Sequence, residues 1–273
     1  MRHSIRLRSI RLHSIREWTL AIAALAVPGS LLAQQARPAQ EPAAKATFSP
    51  HDLAGVWTAA RVTPPRPFGG YTFMAGEPSM TAWAKERFDK TKPSFGPRSF
   101  KDSNDPVNPT IVGQQGCFPP GVPRVYLHPF PFEIVQVPNR MIFLYEFDHE
   151  VRQVWTDGRP LPEDAQDTYM GYSIGKWDGD TLVVETAGFN DKTWADRAGH
   201  PHSDKMKVTE RFKRVNADTL TIDITIDDPI AYTKPWGGQL TYSLRPKWTI
   251  AEMICLDNAN FDVMLKNEQA PSK

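Results

Sequence analysis

Gly171 to Thr186 reads GYSIGKWDGDTLVVET. Two runs rich in aromatic and β-branched residues flank Asp178-Gly179. Asp-Gly suits the tight primed turns whose twist matches a pair of strands. A hairpin is therefore expected between Gly171–Trp177 and Thr181–Thr186. The same pattern spreads in both directions. Downstream, Lys207–Val215 pairs with Thr219–Asp227, and Leu240–Leu244 pairs with Thr249–Cys255. Upstream, Phe132–Val137 and Met141–Phe147 flank Pro138-Asn139-Arg140. Glu150–Trp155 follows, and Thr156-Asp157-Gly158 turns the chain. With Leu53–Arg61 this makes about ten strands in sequential hairpins. Such a meander must hide its edges, and closure hides them. The expected fold is all-β, an antiparallel up-and-down β-barrel.

Between the first strand and the rest lies a proline-rich excursion, residues 62–131, holding 13 of the 25 prolines. Proline fixes φ and lacks an N–H, so this stretch reads as ordered loop or edge. It carries one short helix candidate, Thr81–Lys90 (TAWAKERFDK), capped by Thr81, with Trp83, Arg87 and Phe88 on one face. Its aromatics, among them Tyr71, Phe73, Phe88, Phe95 and Phe118, suit a cover packed on the barrel.

The 273 residues carry 32 Lys+Arg and 31 Asp+Glu, a net +1. That balance offers no general attraction to a phosphate backbone and disfavours nucleic acid as a partner. Residues 1–33 read as a signal peptide: Arg2, Arg6, Arg8, Arg11 and Arg16, then the apolar run Trp18–Val27, then a small residue, Ala33. The run is too short to span a bilayer. A periplasmic or secreted location is expected, with no stable membrane insertion after the signal is removed. Residues 34–50, rich in Ala, Pro and Gln, read as a flexible linker, and residues 51–273 as a single barrel domain. In an oxidising compartment Cys117 and Cys255 are candidates for one disulfide.

Several segments are too polar to be plain barrel wall. Leu144–Arg159 (LYEFDHEVRQVWTDGR) holds Glu146, His149 and Arg152. An inward Arg beside a carboxylate could orient a polar ligand group, while an outward pair would be a weak surface bridge. Gly199–Asp204 (GHPHSD) places His200 and His202 two apart. They are candidate ligands for a divalent metal, with a third from His128, His149 or Glu210. They are equally candidates for acid–base work, since imidazole titrates near neutrality. Asp227–Trp236 (DDPIAYTKPW) adds Tyr232 and Trp236. No Gly-x-Ser-x-Gly elbow, His-Glu-x-x-His motif or dinucleotide fingerprint occurs.

Gly55-Val56-Trp57 resembles the start of lipocalin-type barrels, where the Trp plugs one end, so the barrel is expected to be lipocalin-like. More widely, DLAGVW, CFPPGVPR, LYEFDHEVRQVWTDGR, MGYSIGKWDGDTLVVET, GFNDKTW, GHPHSD, TERFKRV and DDPIAYTKPW resemble a family of secreted bacterial proteins of unknown function. The resemblance implies export and one β-rich domain and supplies no catalytic roles. The leading expectation is a protein that binds a small, largely apolar molecule in a barrel cavity, with Glu146, Arg152, Tyr232 and Trp236 as binding residues. The alternative is a lyase, isomerase or hydrolase with catalytic candidates His149, His200, His202 and Glu210. A third is a cell-envelope interaction protein. No cofactor is fixed by the sequence beyond the metal that His200 and His202 would hold.

Overall fold

A computed structural model of the chain describes residues 48–60, 70–107 and 116–253. The leader and Cys255 lie outside the described residues, as does most of the linker. Nine strands close into one barrel in sequence order: β1 (Gly55–Ala59), β2 (Phe132–Val137), β3 (Arg140–Tyr145), β4 (Val151–Trp155), β5 (Tyr172–Asp178), β6 (Thr181–Ala187), β7 (Lys207–Asn216), β8 (Thr219–Asp227) and β9 (Trp236–Leu244). β9 closes on β1 through Trp57–Leu244 to Ala59–Tyr242. Period-two patterning decides the inner face. On β8, Leu220, Ile222, Ile224 and Ile226 are buried, while Asp223, Thr225 and Asp227 are exposed. Each such aliphatic contributes roughly 1.5–3 kcal/mol by burial. The opening hairpin forms with Asp178 opposite Thr181, so its turn is Gly179-Asp180, one residue later than expected. Gly179 takes the left-handed conformation there, φ 55°.

Three expectations are corrected. The strand count among the described residues is nine rather than ten, because Thr249–Met253 is not a strand. Its backbone is instead taken up by side chains: Ala251 N–H donates to Glu146 Oε2 at 2.8 Å, and Met253 N–H donates to His149 Nε2 at 3.3 Å. β3 stops at Tyr145 rather than Phe147. Phe147–His149 is a 3₁₀ turn in which Asp148 and His149 both have φ 54°. The barrel is not strictly up-and-down, since β4 and β5 run parallel through Val154–Ser173 and Trp155–Ile174. Residues 156–171 make the crossover that a parallel pair requires.

The excursion is the barrel's filling and its cover. Helix α1 (Ala82–Phe88) is capped as expected, with Thr81 Oγ1 accepting from Ala84 N–H at 3.3 Å. The Arg87 guanidinium lies 3.8 Å over Trp83, and Phe88 is buried. Phe73 runs so close to β9 that a Cβ on Gly238 would meet the Phe73 carbonyl oxygen at 2.0 Å. The 3₁₀ turn Arg124–Leu127 drives Tyr126 into the barrel. There its ring meets Phe132, Tyr145, Phe212 and Tyr242 edge-on, so one residue ties β2, β3, β7 and β9 together.

Candidate functional site

The polar residues expected to face a barrel ligand are satisfied by one another. Arg152 on β4 and Glu210 on β7 are both fully buried and form an ion pair. Arg152 Nε donates to Ser173 Oγ at 2.9 Å. Nη1 donates to Glu210 Oε1 at 2.9 Å and to the Tyr126 hydroxyl at 3.0 Å. Nη2 donates to Thr186 Oγ1 at 2.7 Å and to Glu210 Oε2. Tyr126 O–H donates to Glu210 Oε1 at 2.8 Å and accepts from Tyr145 O–H at 3.1 Å. All five guanidinium N–H groups are thus used within the protein, and none is left for a ligand. Burial, with the Glu210 charge beside it, pushes the Tyr145 hydroxyl up to about 12, so both tyrosines stay protonated donors. Arg152 and Glu210 are therefore core residues rather than ligand or catalytic groups. Glu146 and His149 hold the 251–253 segment, as described above.

A different place gathers the chemistry. The loop after β6 brings Asp196 and His200 together, four residues apart and both buried. Gly199 makes the approach feasible: φ is 94°, and a Cβ there would meet Thr91 Oγ1 at 2.5 Å. Asp196 Oδ1 accepts from the backbone N–H of Ala198 and His200 at 3.0 and 3.2 Å. Oδ2 lies 2.6 Å from His200 Nδ1. A carboxylate only accepts, so Nδ1 carries a proton, and Nε2 is the nitrogen left to exchange one. Burial acts to raise the Asp196 pKa, but the His200 charge and its N–H bonds outweigh it and hold the carboxyl below its ordinary value. Nε2 is buried and makes no hydrogen bond.

His200 lines a cavity of about 240 Å³ with Tyr71, Thr72, Met74, Phe88 and Phe95. The buried Thr72 hydroxyl in this wall is turned to Asp196 and helps hold its carboxyl low. Phe88 stacks on the imidazole at 4.6 Å and 2°, and the Arg98 guanidinium lies 3.8 Å from the centre of the Phe88 ring. Trp236 meets His200 edge-on at 5.5 Å, and Tyr232 packs on Trp236 at 5.2 Å. Tyr232 O–H donates to the Pro201 carbonyl at 2.6 Å. Thus His200, Tyr232 and Trp236 do come together, with the two aromatics backing the imidazole.

His202 is turned elsewhere. Its Nδ1 lies 3.2 Å from the Ser203 carbonyl, and it lines a second cavity of about 320 Å³ with Arg87, Asp191 and Trp194. Burial lowers its pKa. The two histidines therefore do not converge on one ion. Among the described residues no group of three or more His, Cys, Asp or Glu side chains is placed to hold a metal.

A third cavity, about 510 Å³, opens along the β4–β5 seam between Glu150, Trp155, Tyr169 and Tyr172. Burial, and then the charge of Asp148, raise the Glu150 carboxyl to about 7. Sequence reading passed over Asp196, Thr72 and Glu150. Asp196 had one legible signal, an acid four residues before a His with a Gly between them. No family model, curated protein or solved structure matches the chain.

Proposed function

We propose that this protein takes a small, largely apolar molecule bearing one polar group into the Phe88–Phe95–Met74 cavity, and that His200 exchanges a proton with that group. The observation that carries this reading is the bare, buried Nε2 on an imidazole whose other nitrogen is fixed by Asp196. An unmade hydrogen bond on a buried polar atom costs about 1–3 kcal/mol, so a partner arriving at Nε2 recovers that energy. An apolar cavity of about 150 Å³ holds benzene; at about 240 Å³ this one suits a substituted single ring.

In the reaction, Nε2 accepts a proton from the bound molecule, and Asp196 stabilises the imidazolium at Nδ1. The proton is then returned to another atom of the same molecule, or to its leaving group. Isomerisation and elimination fit that sequence, and hydrolysis fits when the proton comes instead from an attacking water. The ligand class is the one expected from composition, and its seat moves from the barrel interior to the flank of the barrel under the excursion. The test is a titration of imidazole-labelled protein with a panel of single-ring phenols and ketones, followed by nitrogen NMR. Binding should move the His200 Nε2 resonance and leave His149 unchanged. If no member of the panel moves it, and His200→Gln binds the panel as wild type does, the reading fails.

Export with removal of residues 1–33, a Cys117–Cys255 bridge and a lipocalin-like barrel belong to the same proposal. The barrel likeness is supported by the fully buried Trp57, whose indole donates to the Leu53 carbonyl at 2.9 Å. The intact mass of chain secreted by a bacterial host tests the other two. It should show the loss of residues 1–33 and a mass two hydrogens below the reduced value.

A further inference from the structure

We propose that the buried cluster of Arg124, His128 and Arg197 is the binding seat of a small carboxylate, independent of the His200 site. Arg124 and His128 flank the 3₁₀ turn that carries Tyr126. Arg197, from the loop after β6, is pinned beside them by a hydrogen bond from Nη1 to the Leu127 carbonyl at 3.1 Å. All three side chains are more than nine-tenths buried.

Their donors are not used up. Arg124 directs a single nitrogen, Nη2, at both oxygens of Asp105, at 2.7 and 2.8 Å. Its Nε and Nη1 have no acceptor, and neither does Arg197 Nε. His128 Nε2 is also unpartnered. The contrast with Arg152 is internal to the molecule. In Arg152, which holds the barrel core together, every N–H finds an oxygen.

The charges are equally unbalanced. Among the described residues two guanidiniums share one carboxylate, leaving one positive charge without a counter-ion. Burial and the two guanidiniums push His128 well below its ordinary pKa. Burial and Arg124 bring Arg197 down to about 10. The surroundings are buried and aromatic: Trp194 lies 5.3 Å from the Arg124 guanidinium, Phe95 lies 3.8 Å from that of Arg197, and Phe147 packs on His128 at 4.1 Å. An unpaired charge in such a setting is costly, and an oxyanion bound to it is held strongly. One residual charge asks for a monoanion, and the planar guanidinium fork matches a carboxylate.

The test is thermal unfolding of the purified full chain in rising sodium acetate, balanced with sodium chloride at constant ionic strength. Parallel series use sodium sulfate and the variant Arg197→Gln. Acetate should raise Tm saturably, chloride should not, and sulfate should bind more weakly. Arg197→Gln should weaken acetate by about tenfold or more, the worth of one charge-assisted hydrogen bond. Should that variant not fold, His128→Gln takes its place, with weaker binding expected again. Stronger binding of sulfate overturns the carboxylate assignment. The absence of a saturable rise, or an equal rise in the variants, overturns the site. A crystal structure grown in acetate that shows only water against Arg124 Nη1 and Arg197 Nε overturns it as well.

Discussion

Replacing Arg152 by Met, Glu210 by Leu, and both together tests what the barrel core is made of. With Arg152→Met, Glu210 stays buried as an anion with Tyr126 O–H as its remaining donor. With Glu210→Leu, Arg152 keeps Ser173, Thr186 and Tyr126 but loses its counter-ion. Breaking a buried pair from one side costs about 3–5 kcal/mol, a large part of the about 5–15 kcal/mol that holds a domain together. The double variant is different, because the hydroxyls left behind already have one another. Ser173 Oγ and Thr186 Oγ1 are 3.0 Å apart, and Tyr126 and Tyr145 are hydrogen-bonded at 3.1 Å. Each hydroxyl keeps a partner, only the Tyr126 O–H loses its acceptor, and no buried charge is left unpaired, so the double variant should be more stable than either single, with a coupling energy of about 3 kcal/mol. Urea unfolding followed by tryptophan fluorescence gives the midpoints, with m unchanged if the fold is kept. Additive losses, or single losses under about 1 kcal/mol, refute the assignment of this pair to the core.

Three further outcomes are expected. Asp196 has a lowered pKa, so its contribution is present above its ordinary value of 3.8 and is lost as pH falls through the lower folded value. Asp196→Asn should be less stable than wild type at neutral pH, and the difference should shrink on acidification. Glu150 has the opposite sign: the folded state keeps its proton between 4.5 and about 7, so stability falls as pH rises across that window. Glu150→Gln should remove the fall and be the more stable form at pH above 7, by roughly 1 kcal/mol because the carboxyl is partly solvated. Gly238→Ala should cost at least about 1–3 kcal/mol in urea unfolding, since its Cβ would strike the Phe73 carbonyl, a backbone atom that cannot rotate away.

What the sequence made legible follows from what is local. Turn residues and period-two alternation placed β2, β5, β6, β7 and β8 within a residue or two, because a strand buried on one face writes its pattern into its own side chains. Thr249–Met253 carries a similar pattern and misled, since Glu146 and His149 take up the N–H groups of Ala251 and Met253 singly. The direction of β5 was not legible either. Nothing in residues 156–171 distinguishes a crossover from a long hairpin loop. At the site, His200, Tyr232 and Trp236 stood out as residue types, but in separate roles, and only the folded chain packs them against one another. Arg152 and Glu210 stood out for the same reason and proved to be paired in the core. Residue type does not say whether a buried charge meets a partner, and that partner lies on a strand far along the chain. Asp196 was missed because its role depends on Gly199 letting the loop close onto Thr91.

Around a ring of strands, up and down can alternate without a fault only when the number of strands is even. This ring has nine. Some pair of neighbours is obliged to run the same way, and β4–β5 is that pair, the other eight pairings being antiparallel. The cleft beside Glu150 is then a matter of parity. Residues 156–171 must carry the chain back along the length of the barrel, so they can grow but cannot be trimmed to a hairpin turn. Removing the opening would take a tenth strand.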